Sequence, residues 1–411
     1  MLQAAHNLLM ALFIVLPMAM LAALVVRPRA RSLARVPSAT VAIASSLLLG
    51  ISASVIYDLW LGGISSPGQM LLTCYWAAGL IGILKLLDLC FDRLTRMILR
   101  RARSWPRARR QSIAQLARVI LLFSIGLPFM IVAAATYRPR VTQKNSAPWF
   151  DMGAASISFE STDGVHLSGF FTTPPPATDG IRGRLWGRQT VIICPGARGG
   201  KSAYLNAAGE FLSHGYNVLT FDFRAHGQSD GQLDSFGDHE RRDVLGAVRW
   251  LQSNHPRQCR RIVGFGIDTG AAARLAAADD PSREGRAIDA IAVLGCYDRF
   301  DSLVSTTALP PIMGWLIEPI ALPLACVQTG ADLWNFSPAR AAADIAPRPI
   351  LFVQSEHDPV ITFERGQELF DAASEPKEHI WLENLTDEEA ADDPDLISRV
   401  RHFLDTAIAI L

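Results

Sequence analysis

Residues Gly264–Ala272 read GFGIDTGAA and set one aspartate, Asp268, between Gly266 and Gly270. They follow a short apolar run, RIVGF, and lead into an alanine-rich helical pattern. A strand, a glycine-flanked tight turn and a helix form the setting of the G-x-S-x-G motif, whose serine attacks an acyl carbon. Here a carboxylate stands in the serine's place. Acyl transfer by serine needs an imidazole to accept the hydroxyl proton. A carboxylate needs no deprotonation and can itself displace a halide or open an epoxide. That route leaves an alkyl ester on the chain, which activated water must release. The plainer reading makes Asp268 a helix cap, because Asp is a preferred N-cap and an anion is favoured at a helix N-terminus. With no base evident beside it, capping is the reading preferred over nucleophilic attack.

The elements around this turn predict how it is held. ASISFESTDGVHLSGFFTTP reads as a hairpin turning at Thr162-Asp163-Gly164. QTVIICPG, YNVLTFDFR, RIVGFG, AIDAIAVLGC, PILFVQS and EHIWLE read as strands. SAYLNAAGEFLSHG, HERRDVLGAVRWLQSN and DLISRVRHFLDTAIAIL read as helices between or after them. Such alternation predicts an α/β fold with a doubly wound, mostly parallel sheet and antiparallel strands at one edge. Sites in such sheets form at the C-terminal ends of the strands. Four loops meet that condition: Pro195–Gly200, Arg224–Gly231, the Asp268 turn and Glu356–Val360.

The wording and order of these loops resemble the α/β-hydrolase fold, in its branch of serine aminopeptidases and acyl-ester hydrolases. NVLTFDFRAHGQSDG resembles that branch's D-x-R-G-H-G-x-S segment, with Ala225 for one glycine, and SEHDPV resembles the loop of the triad acid. The resemblance covers roughly residues 154–411. It implies Asp268 at the nucleophile position, Asp358 as the acid, and the amides of Ala197 and Thr269 as oxyanion donors, with Gly196 beside the first. It also implies hydrolysis of ester, thioester or amide bonds without a cofactor. The general-base histidine of the family is expected in NLTDEEAADDPD, where Asp387 or a neighbour stands instead. Of the other histidines, His379 begins the last strand, at the wrong edge, and His226 belongs to the turn motif and braces that loop. His357 adjoins Asp358, but neighbours in an extended segment point oppositely. Three readings follow: a weakly active or inactive hydrolase, a noncatalytic binding or scaffold protein using the old pocket, and an aspartate-nucleophile hydrolase of halides or epoxides.

The rest of the chain bounds the setting. Half of its 411 residues are apolar, and its formal net charge is zero. Four apolar stretches, residues 7–26, 40–61, 70–91 and 119–137, are each long enough to cross a bilayer core of about 30 Å. Arginines crowd the first and third loops between them, and the second has none. The positive-inside bias then puts everything after Tyr137 outside the cytoplasm. The arginine run lacks interleaved aromatics beyond Trp105, so a topology signal is preferred to a nucleic-acid patch. Cys194, Cys259, Cys296 and Cys326 show neither a disulfide framework nor metal-ligand spacing. The expected division is a membrane segment to 137, a linker at 138–152 and a hydrolase domain at 153–411. A cap at about 300–335 carries LPPIMGWLIEPIALPLACV. That stretch could shape a pocket for acyl or other apolar ligands, lie on the bilayer, or pack as a lid.

Overall fold

The computed structural model describes residues 147–176, 186–197, 199–300, 311–358 and 360–410, with Pro128, Val132, Ala135 and Thr136. Ala147, residues 311–318 and Glu388 are described by backbone alone. The four expected membrane stretches lie outside the described residues save for those four positions, as do Arg198 and Pro359 of the site loops. Among the described residues no helix is long and apolar enough to cross a membrane. The chain divides into two compact units, Met1–Ala134 with Ile312–Leu324, and Ala135–Pro311 with Ala325–Leu411. The second holds the sheet.

In chain order its first elements are helix α1 (Ala147–Asp151), strands β1 (Ala155–Glu160), β2 (His166–Thr172) and β3 (Gln189–Cys194), α2 (Leu205–Ser213), β4 (Tyr216–Phe221) and α3 (Glu240–Asn254). There follow β5 (Arg261–Ile267), α4 (Thr269–Asp279), α5 (Arg283–Arg286), β6 (Ala290–Leu294), α6 (Pro311–Thr329) and α7 (Pro338–Asp344). Last come β7 (Ile350–Ser355), α8 (Phe363–Ala372), β8 (Lys377–Leu382), α9 (Asp387–Ala390) and α10 (Pro394–Ile410). The eight strands run in the order β1-β2-β4-β3-β5-β6-β7-β8. β1 and β2 are the expected antiparallel hairpin, and from β4 to β8 all neighbours are parallel. Strands buried on both faces lose the alternation of a half-exposed sheet. β3, β4, β6 and β7 are buried at every residue, which is why they read as unbroken apolar runs.

α2 and α10 cover one face of the sheet, and α3, α4, α7 and α8 the other. The chain leaves β3 for β4 on one side and returns to β5 on the other. The loops after β3 and β5 therefore splay apart above two hydrogen-bonded strands, in register at Cys194 and Gly266. This is the topological switch point where doubly wound sheets bind ligands. Among the described residues the expected cap carries α6, with Pro319 and Pro323 inside it, and Ile312–Leu324 of that helix belong to the first unit.

Candidate functional site

Asp268 follows β5 directly, with φ 51° and ψ −121°. A positive φ costs a non-glycine residue on the order of 1–3 kcal/mol, so the surrounding structure must enforce it. The two glycines show how. A Cβ on Gly270 would overlap the Pro195 carbonyl oxygen and lie 2.5 Å from that of Cys194. One on Gly266 would lie 2.7 Å from the Ala271 Cα. Only glycine lets α4 start this close to β3 and β5, and the sharp turn between them lifts Asp268 above the strand ends.

Asp268 does stand at the N-cap of α4, where its carbonyl oxygen accepts from the Ala271 and Ala272 amides, but the expected side-chain cap is corrected. Its side chain makes no cap bond to the amides of α4. Oδ2 instead accepts from the Ala197 amide, 3.1 Å away across the switch point. The turn has swung the side chain off the helix axis and towards the β3 loop. Gly196 passes beneath it, where an added Cβ would come 3.2 Å from that of Asp268. Thr269 begins α4 and is buried.

The β3 loop is fixed from several sides. The Gly196 amide donates to the Tyr204 hydroxyl at 3.2 Å. His226 links this loop to its own turn, its ring nitrogens lying 3.2 Å from the Ala197 carbonyl oxygen and 2.9 Å from that of Arg224. Sequence reasoning missed Lys201. Its buried ammonium donates to Ser168 Oγ and to Gln228 Oε1 at 2.7 Å, and lies 3.5 Å from Asp222 Oδ2. The Lys201 amide donates to Asp222 Oδ1, so one carboxylate clamps the β3 and β4 loops together. The pairing of a lysine after one strand with an aspartate ending another has no local sequence signature.

Asp358 stands after β7, where Oδ1 accepts from the Val360 and Ile361 amides at 2.8 Å. His357 is exposed, and its amide is tied to Ser355 Oγ. His379 lies within β8, stacked on Trp381. The stretch where the resemblance expects a histidine brings in Asp387. It opens α9, whose capping box pairs Thr386 with Glu389 and aims Asp387 inward. Its Oδ1 accepts from the Ser355 amide at 2.9 Å and its Oδ2 from Gln354 Nε2 at 3.1 Å. Burial, with the charges of Asp358 and Asp268, pushes its carboxyl up to about 8. Asp268, Asp358 and Asp387 thus form one electrostatic group at the C-terminal edge, with Asp387 protonated at neutral pH. Cys296, fully buried beyond β6, is pushed well above the usual thiol range by burial and the Asp268 charge, so it supplies no thiolate.

The arrangement is a strand–turn–helix elbow, facing a backbone amide across the switch point of an eight-stranded, mostly parallel sheet. The fold is that of the α/β-hydrolases. Solved structures agree: the Pyrococcus furiosus esterase Pf2001 superposes with a TM-score of 0.52 at 22% identity, over 66% of this chain and 98% of that one. Residues 131–315 match the family of X-Pro dipeptidyl-peptidases, S15. Among curated relatives, the uncharacterized protein YfhR of Escherichia coli O157:H7 is 25% identical over 237 residues, 57% of this chain and 72% of that protein. The uncharacterized protein YqkD of Bacillus subtilis (strain 168) is 30% identical over 200 residues, 48% of this chain and 64% of that protein. An α/β-hydrolase sheet therefore carries a carboxylate at its elbow and the buried carboxyl of Asp387 beyond its β8 strand.

Proposed function

We propose that this chain is a membrane-anchored α/β-hydrolase-type protein that binds an apolar ligand at the elbow and does not carry out acyl transfer by the serine route. The observation behind this reading is the bond from the Ala197 amide to Asp268 Oδ2. In acyl transfer an amide so placed stays open for charge developing on the substrate oxygen. Here a carboxylate oxygen already fills it. Two unit charges 4 Å apart interact by about 4 kcal/mol at an effective dielectric of about 20, which retards a reaction roughly a thousandfold. Ser229 offers no substitute nucleophile, because it is fully buried and donates to the Asp222 carbonyl oxygen.

Full-length protein is therefore expected to resist fluorophosphonate probes, and Asp268→Ser to remain unlabelled because no imidazole accepts the proton. A probe adduct on any serine of wild-type protein, found by peptide mass mapping, overturns the reading.

One observation favours a second reading, in which Asp268 is an alkyl-accepting nucleophile. The side chain makes no cap bond to α4, and its backbone is held in a strained turn that turns the carboxylate towards the Ala197 amide. An ester formed there would keep its carbonyl oxygen on the Ala197 amide. Incubation with alkyl halides or epoxides would then add the alkyl mass to Asp268, and Asp268→Asn would abolish the gain. The first reading expects no adduct.

Membrane anchoring rests on the four apolar stretches, and the arginine bias of their loops puts the domain outside the cytoplasm. A C-terminal alkaline phosphatase fusion is expected to be active and a cytoplasmic reporter silent. The reverse pattern refutes this topology.

A further inference from the structure

We propose that the C-terminal edge of the sheet seats on the lipid bilayer through Val327 and Trp334, so that the elbow site opens towards the membrane surface. This rests on the anchoring proposed above.

Exposed apolar side chains are unevenly placed. Among the described residues the large exposed ones are Phe150, Val327, Trp334, Val360 and Ile410. Val360 follows β7 two residues after Asp358. Trp334 belongs to the segment between α6 and α7, which crosses the end of β6. There the Ala339 amide and Ser337 Oγ both donate to the Asp298 carbonyl oxygen. Val327 lies in the last turn of α6, immediately before that segment, and is 83% exposed against 61% for Trp334. Phe150 packs edge-on against Phe170, whose β4 partner is Thr220, one residue from the end of that strand. Only Ile410 is elsewhere. It ends α10, where Asp405 already bonds the Tyr216 hydroxyl at the opposite, N-terminal end of β4. Four of the five exposed apolar side chains therefore share the edge that carries the site.

The path of the chain identifies what covers this edge. The fourth apolar stretch ends at Tyr137, and its Thr136 is helical and fully buried. The Thr136 carbonyl oxygen accepts from the Asp234 amide at 2.8 Å. Four residues on, Asp238 Oδ2 accepts from the Asp332 amide at 3.3 Å, and Trp334 follows two residues later. The last apolar stretch thus ends on the loop that holds the Trp334 segment. A chain reaches at most about 3.3–3.6 Å per residue, so this short path keeps Trp334 near the point where the stretch leaves the bilayer. Tryptophan at the lipid–water boundary fits this position, since its ring is amphipathic.

The test uses the full chain, reconstituted in phosphatidylcholine vesicles, with a benzophenone amino acid at residue 327, 334 or 410. After irradiation, lipid adducts are expected several-fold more abundantly at 327 and 334 than at 410. Equal yields at all three positions overturn the proposal, as do adducts to protein in place of lipid at 327 and 334. An alkaline carbonate wash separates the two ideas. If the chain stays with the vesicles and 327 and 334 give no lipid adduct, only the seating is wrong. If the chain washes off, the anchoring falls too.

Discussion

Raising the pH from about 6.5 to about 9 is expected to lower the thermal midpoint of the full-length protein by on the order of 10 °C. Two buried carboxyls cause this. Burial and the Asp358 and Asp268 charges push Asp387 from 3.8 up to about 8. Burial and the Asp234 and Asp243 charges do the same to Glu240, from 4.5 up to about 8. Between the unfolded and folded values the native protein holds a proton that the unfolded chain has released. Stability is then full below the unfolded value and falls as pH rises towards 8, by about 1.4 kcal/mol per pH unit for each group. Other groups act lower. Asp243, raised to about 6, has completed its loss before this window, and the depressed histidines His239 and His255 act below their ordinary 6.5. Asp387→Asn keeps the shape without the ionisation. It is expected to remove about half of the fall. A midpoint that stays level or rises across the window, read by differential scanning fluorimetry, would refute the assignment.

Arg274→Met is expected to stabilise the protein by roughly 1–4 kcal/mol, the gain seen when buried charges are replaced by hydrophobes of similar volume. Arg274 lies in the middle of α4 with no exposed surface, and its three guanidinium nitrogens find no oxygen partner, only the weak Cys194 thiol beside them. It covers Gly264 of β5, where any Cβ would collide with it. The polar group beside it is the Cys194 thiol, a weak acceptor that burial has pushed up to about 11. Desolvation holds the guanidinium below its ordinary value, yet arginine does not give up its proton in proteins. Methionine fills the same channel without that penalty. Urea unfolding gives the difference directly. A loss beyond about 1 kcal/mol would mean that the guanidinium has a partner worth keeping, such as a buried water or anion, because truncating a satisfied buried donor carries that cost.

Arg274 also marks where sequence reading stops. TGAAARLAAAD offers two charged residues, Arg274 and the terminal Asp279, and periodicity would turn both to solvent. Every residue from Thr269 to Ala278 is nonetheless buried, because α7 and α3 flank this helix as well as the sheet. The strands were legible because a strand buried on both faces must be apolar throughout. The elbow was legible because its glycines answer to close backbone approach. The direction of the Asp268 side chain was not, since it depends on a loop 71 residues earlier. The position of Asp387 was half legible. The T-x-x-E pattern of Thr386 and Glu389 announces a capping box, but which neighbour it turns inward depends on Gln354 and Ser355 in another strand.

The packing around Asp387 limits what substitution could do there. Gly295, at φ 60°, lies so close that an added Cβ would come 2.5 Å from Asp387 Oδ2. The Gly295 amide is meanwhile bonded to the Val353 carbonyl oxygen and cannot easily yield. An imidazole is larger than a carboxyl, and at this position it would have to displace the loop after β6. Serine placed at the elbow alone would be a hydroxyl without a base, and histidine placed at 387 alone would press on Gly295. Neither step is useful without the other, so no single substitution carries this sheet to serine chemistry.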